Sequence, residues 1–381
     1  MSTATSTTMS ITPSEQDRRE LQKAIEEIVE SGFVGVQLRV NDEQGEWAGS
    51  AGVAELGGAA KAPANGHFRI GSSTKTFVAT LVLQLVAEGA IGLDAPADDY
   101  LPEFGLDRRI TVRMLLQHTS GLFNHTGELF EDGTVVTGIP STIAGKEWVD
   151  NRFRTYRPEE LVRFSLSKPA RFEPGTDWSY SNTNYLLARL LTEKVTGRSF
   201  AEEIQDRTLG PLGMSGTVAP GTSTEIPEPC THAYYRYEDA GQEETIDVTR
   251  HNPSWVGAGG DMISTTQDLA TFFSALMGGK LLPAELLAEM RTPESKVGYG
   301  LGLFVQDAGP NGGTIFHHNG GMAGYGALMY STPDGKKTLT AGLTCVDDAD
   351  LSIAAAFQNA QQRLVSEVFL GGQADPAQPT G

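Results

Sequence analysis

The chain has 381 residues, of which 39% are hydrophobic and 20% charged, and its formal net charge is −19 at pH 7. A chain of this length can bury a large core, as one big domain or as two lobes. The acidity argues against nucleic acid and anionic membrane surfaces as partners, because both attract clustered lysine and arginine. No stretch approaches the roughly 18 apolar residues that a membrane span needs.

The two ends of the chain are predicted to be tails, a disordered one over 1–12 and a flexible one over 373–381. The first is rich in Ser and Thr and has neither the basic region nor the apolar region of a signal peptide. As written, the sequence therefore predicts a cytoplasmic protein, or a secreted one if a leader has been removed.

A capping-box pattern at 14–17 and apolar residues on one face predict a first helix, which ends at Gly32. Two strands follow, over 34–40 and 47–56. The next apolar run, 77–86, is hydrophobic nearly all round and predicts a buried helix.

The middle of the chain is predicted to be mostly helical, with a long surface segment over 122–157. Its further helices are predicted at 111–116, 158–167 and 185–196. Strands return from about 255, and they are predicted at 313–318, 326–331 and 338–345, before a closing helix over 353–369.

Strands, then helices, then strands predict an α+β fold, an α/β sandwich whose mainly antiparallel sheet comes from both chain ends and is flanked by helices. We predict an α/β lobe from 13–80 plus 216–372, and an inserted, mainly helical lobe from 81–215. A cleft between two lobes is a common place for a small-molecule site.

A hydroxyl and an amine three residues apart, Ser72 and Lys75, open the predicted buried helix. Helical spacing lets the two side chains touch, and a hydroxyl at a helix start meets free N–H groups and the positive end of the helix dipole. A second Ser-x-x-Lys, Ser165 and Lys168, ends a helix and runs into Pro169. We therefore predict a nucleophile at the first copy only.

Two further motifs support this prediction. Tyr180-Ser181-Asn182 precedes a helix, so that the tyrosine can exchange a proton and Asn182 can bind a substrate amide. His318-Asn319-Gly320-Gly321 follows a predicted strand, and its glycines let a substrate lie against the strand edge near a backbone N–H.

In order and spacing, these motifs match those of serine penicillin-recognising enzymes. Over about 20–370 the chain resembles the class C β-lactamase and D-alanyl-D-alanine carboxypeptidase branch, which includes D-amino-acid amidases, D-aminopeptidases and β-lactamase-like esterases. The resemblance implies a β-lactamase/transpeptidase-like fold and an acyl-enzyme at Ser72, with Lys75 and Tyr180 sharing proton transfer. It also implies an oxyanion hole from the N–H groups of Ser72 and Gly321, with His318 near Tyr180.

The predicted site has four catalytic residues, Ser72, Lys75, Tyr180 and His318. The predicted substrate-binding residues are Asn182, Asn319, Gly320, Gly321, Trp255, Phe123 and Phe304. We expect His317, on the opposite strand face, and His118 and Ser120, at a helix end, to be structural.

No cofactor or metal is implied, because neither cysteine lies in a CxxC or near histidines at metal-ligand spacing. We expect Cys230 and Cys345 to be free thiols, although a disulfide between them stays open.

Three positions depart from the carboxypeptidase and β-lactamase pattern. Asn319 stands where most relatives have Thr or Ser, Phe304 stands where the carboxypeptidase branch has arginine, and Gly321 stands where a hydroxyl is common. All three replaced groups suit a terminal carboxylate, so we predict an enzyme that does not require one.

The leading interpretation is a serine hydrolase of amide or peptide bonds in small, D-amino-acid-containing substrates, either a D-stereospecific peptidase or amidase or an enzyme similar to D-Ala-D-Ala carboxypeptidases. The alternatives are a carboxylesterase, a class C-type β-lactamase, and a penicillin-binding sensor without turnover. The oligomeric state stays open.

Overall fold

A computed structural model describes residues 13–130, 133–294 and 296–370, so the predicted tails at 1–12 and 373–381 lie outside the described residues. Its helices are α1 (Pro13–Glu30), α2 (Thr74–Ala87), α3 (Val112–Gln117), α4 (Lys146–Asn151), α5 (Pro158–Leu166), α6 (Asn182–Thr196), α7 (Phe200–Ile204), α8 (Gly210–Leu212), α9 (Thr266–Met277), α10 (Ala284–Arg291), α11 (Gly309–Gly312) and α12 (Ala354–Phe369). None of these helices combines the length and the apolar composition that crossing a membrane requires.

The strands form four sheets in the described part of the chain. They are β1 (Gly35–Asp42), β2 (Gly45–Gly52), β3 (Phe68–Arg69), β4 (Gly127–Leu129), β5 (Val135–Thr137), β6 (Tyr234–Asp239), β7 (Gln242–Asp247), β8 (Ile263–Ser264), β9 (Phe304–Asp307), β10 (Thr314–His317), β11 (Gly320–Met322), β12 (Tyr325–Ser331), β13 (Thr338–Thr344) and β14 (Val346–Asp348). The main sheet has the order β2-β1-β13-β12-β10-β9, and β11 pairs with β12.

The main sheet joins the two ends of the chain, since β1 lies antiparallel to β13 with Gly35 opposite Thr344. Alternate residues of β13 face opposite sides. Leu339, Ala341 and Leu343 share a buried cluster with α1 and α12, whereas the Thr340 hydroxyl donates to the first carbonyl of α9 on the other side. Helices thus cover both faces, and the predicted α+β sandwich is confirmed. The division into an α/β lobe and a helical lobe stays a prediction.

Helix α2 lies at the centre of the larger core. Every residue from Thr74 to Leu83 is buried, as the all-round apolar pattern predicts. Its Phe77 ring stacks on Phe272 of α9 with ring centroids 3.7 Å apart. The residues that open α2 are consequently fixed by packing along the whole helix.

Two sequence predictions for the middle of the chain are wrong. The segment 122–157 is not a surface segment throughout, because it contains β4, β5 and α4, and Trp148 is buried against Tyr235. After helix α8, the next strand is β6, which begins at Tyr234 and not near 255. Strands β6 and β7 form a hairpin. Strand β7 is exposed at five of its six residues, so it lacks the hydrophobic alternation by which a strand is recognised.

Candidate active site

Three side chains from distant parts of the chain meet at the start of α2. The Tyr180 hydroxyl lies 2.7 Å from Ser72 Oγ, and Lys75 Nζ lies 3.2 Å from the same oxygen. Ser72 is half-buried in a short 3-10 turn, Gly71–Ser73, that leads into α2. The structure therefore brings together the hydroxyl, amine and phenol that the sequence motifs contain.

The amine of Lys75 is completely buried and has two other partners. It donates to Asn182 Oδ1 at 2.7 Å and to the Gly259 carbonyl at 2.5 Å. A neutral amine has two N–H bonds and one lone pair, so these two acceptors use both hydrogens and direct the lone pair to Ser72 Oγ. Burial lowers the Lys75 pKa well below its usual value, which favours this neutral form.

The pKa of Tyr180 is shifted in the opposite direction to that of Lys75. Burial raises the pKa of its phenol above the usual value, although the hydrogen bond with Ser72 opposes the change. Lys75 is thus poised to accept a proton, while Tyr180 stays protonated and can donate one. Opposite shifts in neighbouring groups distinguish a general base from a general acid.

The backbone beside Ser72 approaches β11 so closely that two positions leave no room for a Cβ. A Cβ on Gly320 would lie 1.9 Å from the Ile70 carbonyl oxygen and 2.8 Å from the Ser72 nitrogen. A Cβ on Gly71, whose φ is +49°, would lie 2.7 Å from the Gly321 nitrogen. The two main-chain nitrogens of the predicted oxyanion hole therefore belong to segments in direct contact.

His318 borders the same cavity as Tyr180, and its hydrogen-bond partners are Asn319 and Tyr299. Its Nδ1 donates to the Asn319 carbonyl at 2.8 Å, and its Nε2 accepts from the Tyr299 hydroxyl at 3.1 Å. Burial, and secondly the nearby Lys75, lower the His318 pKa to about 3. The ring is therefore neutral and occupied at both nitrogens, so we propose that it shapes the wall of the site and does not transfer a proton.

Ser72 and Tyr180 line an open cavity of about 490 Å³. Among the predicted site residues, it is also lined by Phe304, His318, Asn319, Gly320 and Gly321. Its lining also includes five apolar side chains, those of Phe33, Met322, Leu351, Ile353 and Phe357.

Three predicted substrate-binding residues do not border this cavity. The amide of Asn182 is occupied by Lys75 and by Thr126 Oγ1, which lies 3.2 Å from its Nδ2. Phe123 and Trp255 are buried, and their carbonyls accept from Thr183 and His125. These carbonyl bonds hold their backbones inside the core.

None of the three positions that depart from the family pattern brings a positive charge to the cavity, although all three border it. Asn319 Nδ2 donates to the Tyr330 hydroxyl at 2.9 Å. Phe304 stacks on His317, and the His317 ring also stacks on Tyr330. His317, expected to be structural and on the opposite face, is thus held between two aromatic rings, and it borders the same cavity.

Sequence reasoning missed three groups. The Gly259 carbonyl holds Lys75, the Tyr299 hydroxyl orients His318, and Asp347 is the one acidic side chain among the described residues that line the cavity. Gly257, Gly259 and Gly260 follow Trp255 in the sequence, but a run of glycines does not indicate that a carbonyl among them binds an amine. Tyr299 and Asp347 carry no motif.

The expected structural roles of other polar residues agree with the structure. His118 ends α3 with a left-handed φ of 64°, and its ring lies 4.4 Å from that of Tyr180. Ser165, of the second Ser-x-x-Lys, donates to the Phe123 carbonyl. Cys230 and Cys345 are free and buried.

A family model described as Beta-lactamase matches residues 21–362. The chain belongs to the beta-lactamase family. It is a serine hydrolase, as the members of this family are, and the resemblance deduced from the motifs is confirmed.

Solved structures of this family superpose along most of the chain. A D-stereospecific amidohydrolase from Streptomyces sp. is 36% identical, with a TM-score of 0.76 over 90% of this chain and 99% of that one. The D-amino acid amidase from Ochrobactrum anthropi SV3, complexed with L-phenylalanine, is 25% identical, with a TM-score of 0.77 over 93% and 98%. Penicillin-binding protein 4* from Bacillus subtilis (strain 168) is 28% identical over 336 residues, which cover 84% of this chain and 70% of that protein.

Proposed function

We propose that this beta-lactamase-family enzyme hydrolyses amide bonds in small molecules that carry a free ammonium group, such as D-amino-acid amides and short peptides with an N-terminal D-residue. The observation that carries the proposal is the charge of the cavity at Ser72. Its described lining contains no lysine or arginine, and its one acidic side chain is Asp347. An apolar cavity with a single carboxylate suits a substrate with an apolar side chain and a positive charge.

The D configuration is supported by the relatives. The amidohydrolase that is 36% identical over nearly its whole length is D-stereospecific, and the structurally similar amidase is a D-amino acid amidase. The absence of a cation from the described lining also supports our prediction that a terminal carboxylate is not required. This weakens the β-lactamase and carboxypeptidase alternatives.

In the proposed reaction, Ser72 Oγ attacks the substrate carbonyl while the neutral Lys75 amine takes the hydroxyl proton. The N–H groups of Ser72 and Gly321 donate to the oxyanion. As the C–N bond breaks, Tyr180 gives its proton to the leaving amine and recovers one from the Lys75 ammonium. Water then attacks the acyl-enzyme, with Lys75 as base, and the released Ser72 oxygen takes that proton back.

The experiment compares kcat/KM for D-phenylalanine amide, its L enantiomer and N-acetyl-D-phenylalanine amide. A hydrogen bond between charged groups is worth about 1.5–3 kcal/mol, so acetylation is expected to lower kcat/KM by roughly 10- to 100-fold. Asp347→Asn should reduce the rate for the free amine to that for the acetylated substrate. Ser72→Ala serves as the inactive control.

Two further substrates distinguish the alternatives. Faster cleavage of p-nitrophenyl butyrate than of either amide, without an effect of acetylation, would replace this proposal with an esterase. Much faster cleavage of a D-Ala-D-Ala peptide than of its C-terminally amidated form would restore the carboxypeptidase interpretation.

A further inference from the structure

A second group of reactive side chains lies outside the hydrolytic site, just before β6. Glu228, Cys230 and His232 occupy alternate positions in the segment that leads into this strand. One donor atom from each lies within 4.8 Å of the other two. The three donors differ in kind, being a carboxylate oxygen, a sulfur and a ring nitrogen.

The imidazole of this cluster is oriented by a fourth residue. His232 Nδ1 lies 2.6 Å from Oδ2 of Asp247, the last residue of β7. The other Asp247 oxygen accepts from the Thr249 N–H at 2.8 Å, which fixes the carboxylate. A carboxylate on one ring nitrogen leaves the other nitrogen available to an ion, and metal-binding histidines in proteins commonly have this arrangement.

The backbone of the segment is also fixed. The Pro229 carbonyl accepts from the His67 N–H at 2.8 Å, and the His232 N–H donates to the Ala54 carbonyl at 2.8 Å. The ligand-bearing segment is therefore tied to its neighbours on both sides of Cys230.

The surroundings of the cluster favour a cation. The side chains border a cavity of about 510 Å³ whose lining includes Glu225, Glu228 and Asp247 but, among the described residues, only one arginine, Arg250. That arginine pairs with Glu225. No lining residue is shared with the cavity at Ser72.

We propose that Glu228, Cys230 and His232 bind a divalent transition-metal ion, with zinc favoured. Sulfur and imidazole nitrogen are donors that zinc prefers, whereas magnesium and calcium take oxygen ligands. Tetrahedral zinc bonds of 2.0–2.3 Å place neighbouring donors about 3.3–3.8 Å apart. Cys230 Sγ and Glu228 Oε1 already lie 3.6 Å apart, and a water molecule can take the fourth position.

Binding requires the loss of a proton. Burial, and secondly the charge of Glu228, raise the pKa of the Cys230 thiol to about 12. A metal–sulfur bond therefore forms as the ion displaces the thiol proton, which leaves to solvent, and no electron is transferred. We predicted no metal from the sequence because neither cysteine lies in a CxxC or near histidines at the usual metal-ligand spacing. Only the fold brings the donors and Asp247 together.

The test is a titration of the full chain with Co²⁺ after treatment with a chelator. We expect a thiolate-to-cobalt charge-transfer band that saturates at one equivalent and disappears when Zn²⁺ is added. Cys230→Ser should abolish the band, and Asp247→Asn should weaken binding by about 10- to 100-fold. Hydrolysis of D-phenylalanine amide by each variant reports whether the protein is folded. If the wild type does not hydrolyse this amide, the proposed function is contradicted, whereas the proposed metal site is not affected.

Two matched variants serve as controls. Cys345→Ser removes the other thiol, and His67→Ala removes a histidine that contacts the same segment through the Pro229 carbonyl. Both should keep the band. If Cys230→Ser does not fold, the partly exposed His232 provides the second variant, since His232→Ala should lower cobalt affinity at least as much as Asp247→Asn. No band with wild-type protein, or a band that persists in Cys230→Ser or is unaffected by His232→Ala, would overturn the proposal.

Discussion

Lys75 is a buried amine held by one side-chain oxygen and one main-chain oxygen. The Asn182 amide is neutral, and so is the Gly259 carbonyl, so neither supplies the negative charge that would keep an ammonium ion stable in the core. Burial beside neutral acceptors therefore favours the uncharged amine, and a negative charge placed at 182 is expected to raise the Lys75 pKa.

Replacing the neutral Asn182 amide with a carboxylate is expected to shift the dependence of kcat/KM on pH in one defined direction. In Asn182→Asp a negative charge beside Lys75 Nζ favours the ammonium, so the Lys75 pKa rises. As the pH is lowered, the amine is then protonated, and stops acting as a base, at a higher pH than in the wild type. The acid limb of kcat/KM against pH, measured with D-phenylalanine amide, should move to higher pH. Asn182→Ala removes an acceptor without adding charge, and its acid limb should move to lower pH. Superimposable profiles for both variants and the wild type would refute Lys75 as the base.

At the scale of elements, the site depends on contact between β11 and the 3-10 turn at Gly71–Ser73. The two adjacent glycines of β11 differ sharply in the space around them. A Cβ on Gly320 would clash with the Ile70 carbonyl oxygen at 1.9 Å and with the Ser72 nitrogen at 2.8 Å, whereas a Cβ on Gly321 would have its nearest neighbour, the Tyr325 carbonyl oxygen, 4.0 Å away.

This difference makes an internally matched pair of variants. Gly320→Ala must push β11 away from Ser72, so we expect a loss of about 1–3 kcal/mol in the free energy of unfolding. If the oxyanion donor at Gly321 moves with the strand, kcat should fall by roughly 100-fold or more. Gly321→Ala should keep the free energy of unfolding within about 0.5 kcal/mol of wild type, because the added methyl meets no neighbour in the fold. Urea unfolding and steady-state kinetics measure the two effects, and equal losses in both variants would show that the contact is unimportant.

The elements that the sequence predicted well have strong periodicity. Helix α2 could be predicted because it is apolar all round, and β12 and β13 because they are short buried runs bounded by turn residues. Hairpin β6–β7 could not, because its outer strand is polar and is stabilised by pairing with β6 and not by burial. The local pattern also did not predict the burial of Trp148. Its ring packs against Tyr235 of β6, which lies 87 residues further along the chain.

At the scale of the whole molecule, one buried acid makes stability depend on pH. Asp261 is buried, one of its oxygens has no hydrogen-bond partner, and burial raises its pKa to about 6. Its protonated form is favoured by folding, so this contribution is complete below the unfolded pKa of about 4 and is lost as the pH rises through about 6.

Asp261→Asn is therefore expected to stabilise the protein at pH 8, by up to about 3 kcal/mol at ~1.4 kcal/mol per unit of pKa shift. Near pH 4 the advantage should vanish, because the wild-type carboxyl is then protonated in the folded state. Thermal unfolding of both proteins at the two pH values measures the change. A constant difference in Tm across this range would contradict the assignment.

The order of the motifs along the whole chain made Ser72, Lys75 and Tyr180 predictable, because three weak signals at the expected spacing support one another. The partners of these residues were not predictable. Gly259 acts through a carbonyl that every residue type possesses, and Asp347 reaches the cavity only after β14 pairs with β6. A sequence shows side chains, whereas the environment that sets their protonation is made by the assembled backbone.

The Gly259 carbonyl, which accepts a hydrogen bond from Lys75, limits which substitutions can alter the partners of this amine. A main-chain oxygen cannot be deleted by substitution, and a side chain at Gly259 would press on Asn182, whose Oδ1 would lie 2.9 Å from the new Cβ. Of the two acceptors, only Asn182 is therefore open to adjustment by a single replacement. Selection of variants for activity in acid or alkali should accordingly return substitutions at 182, and at Thr126 behind it, while 259 stays glycine in every lineage.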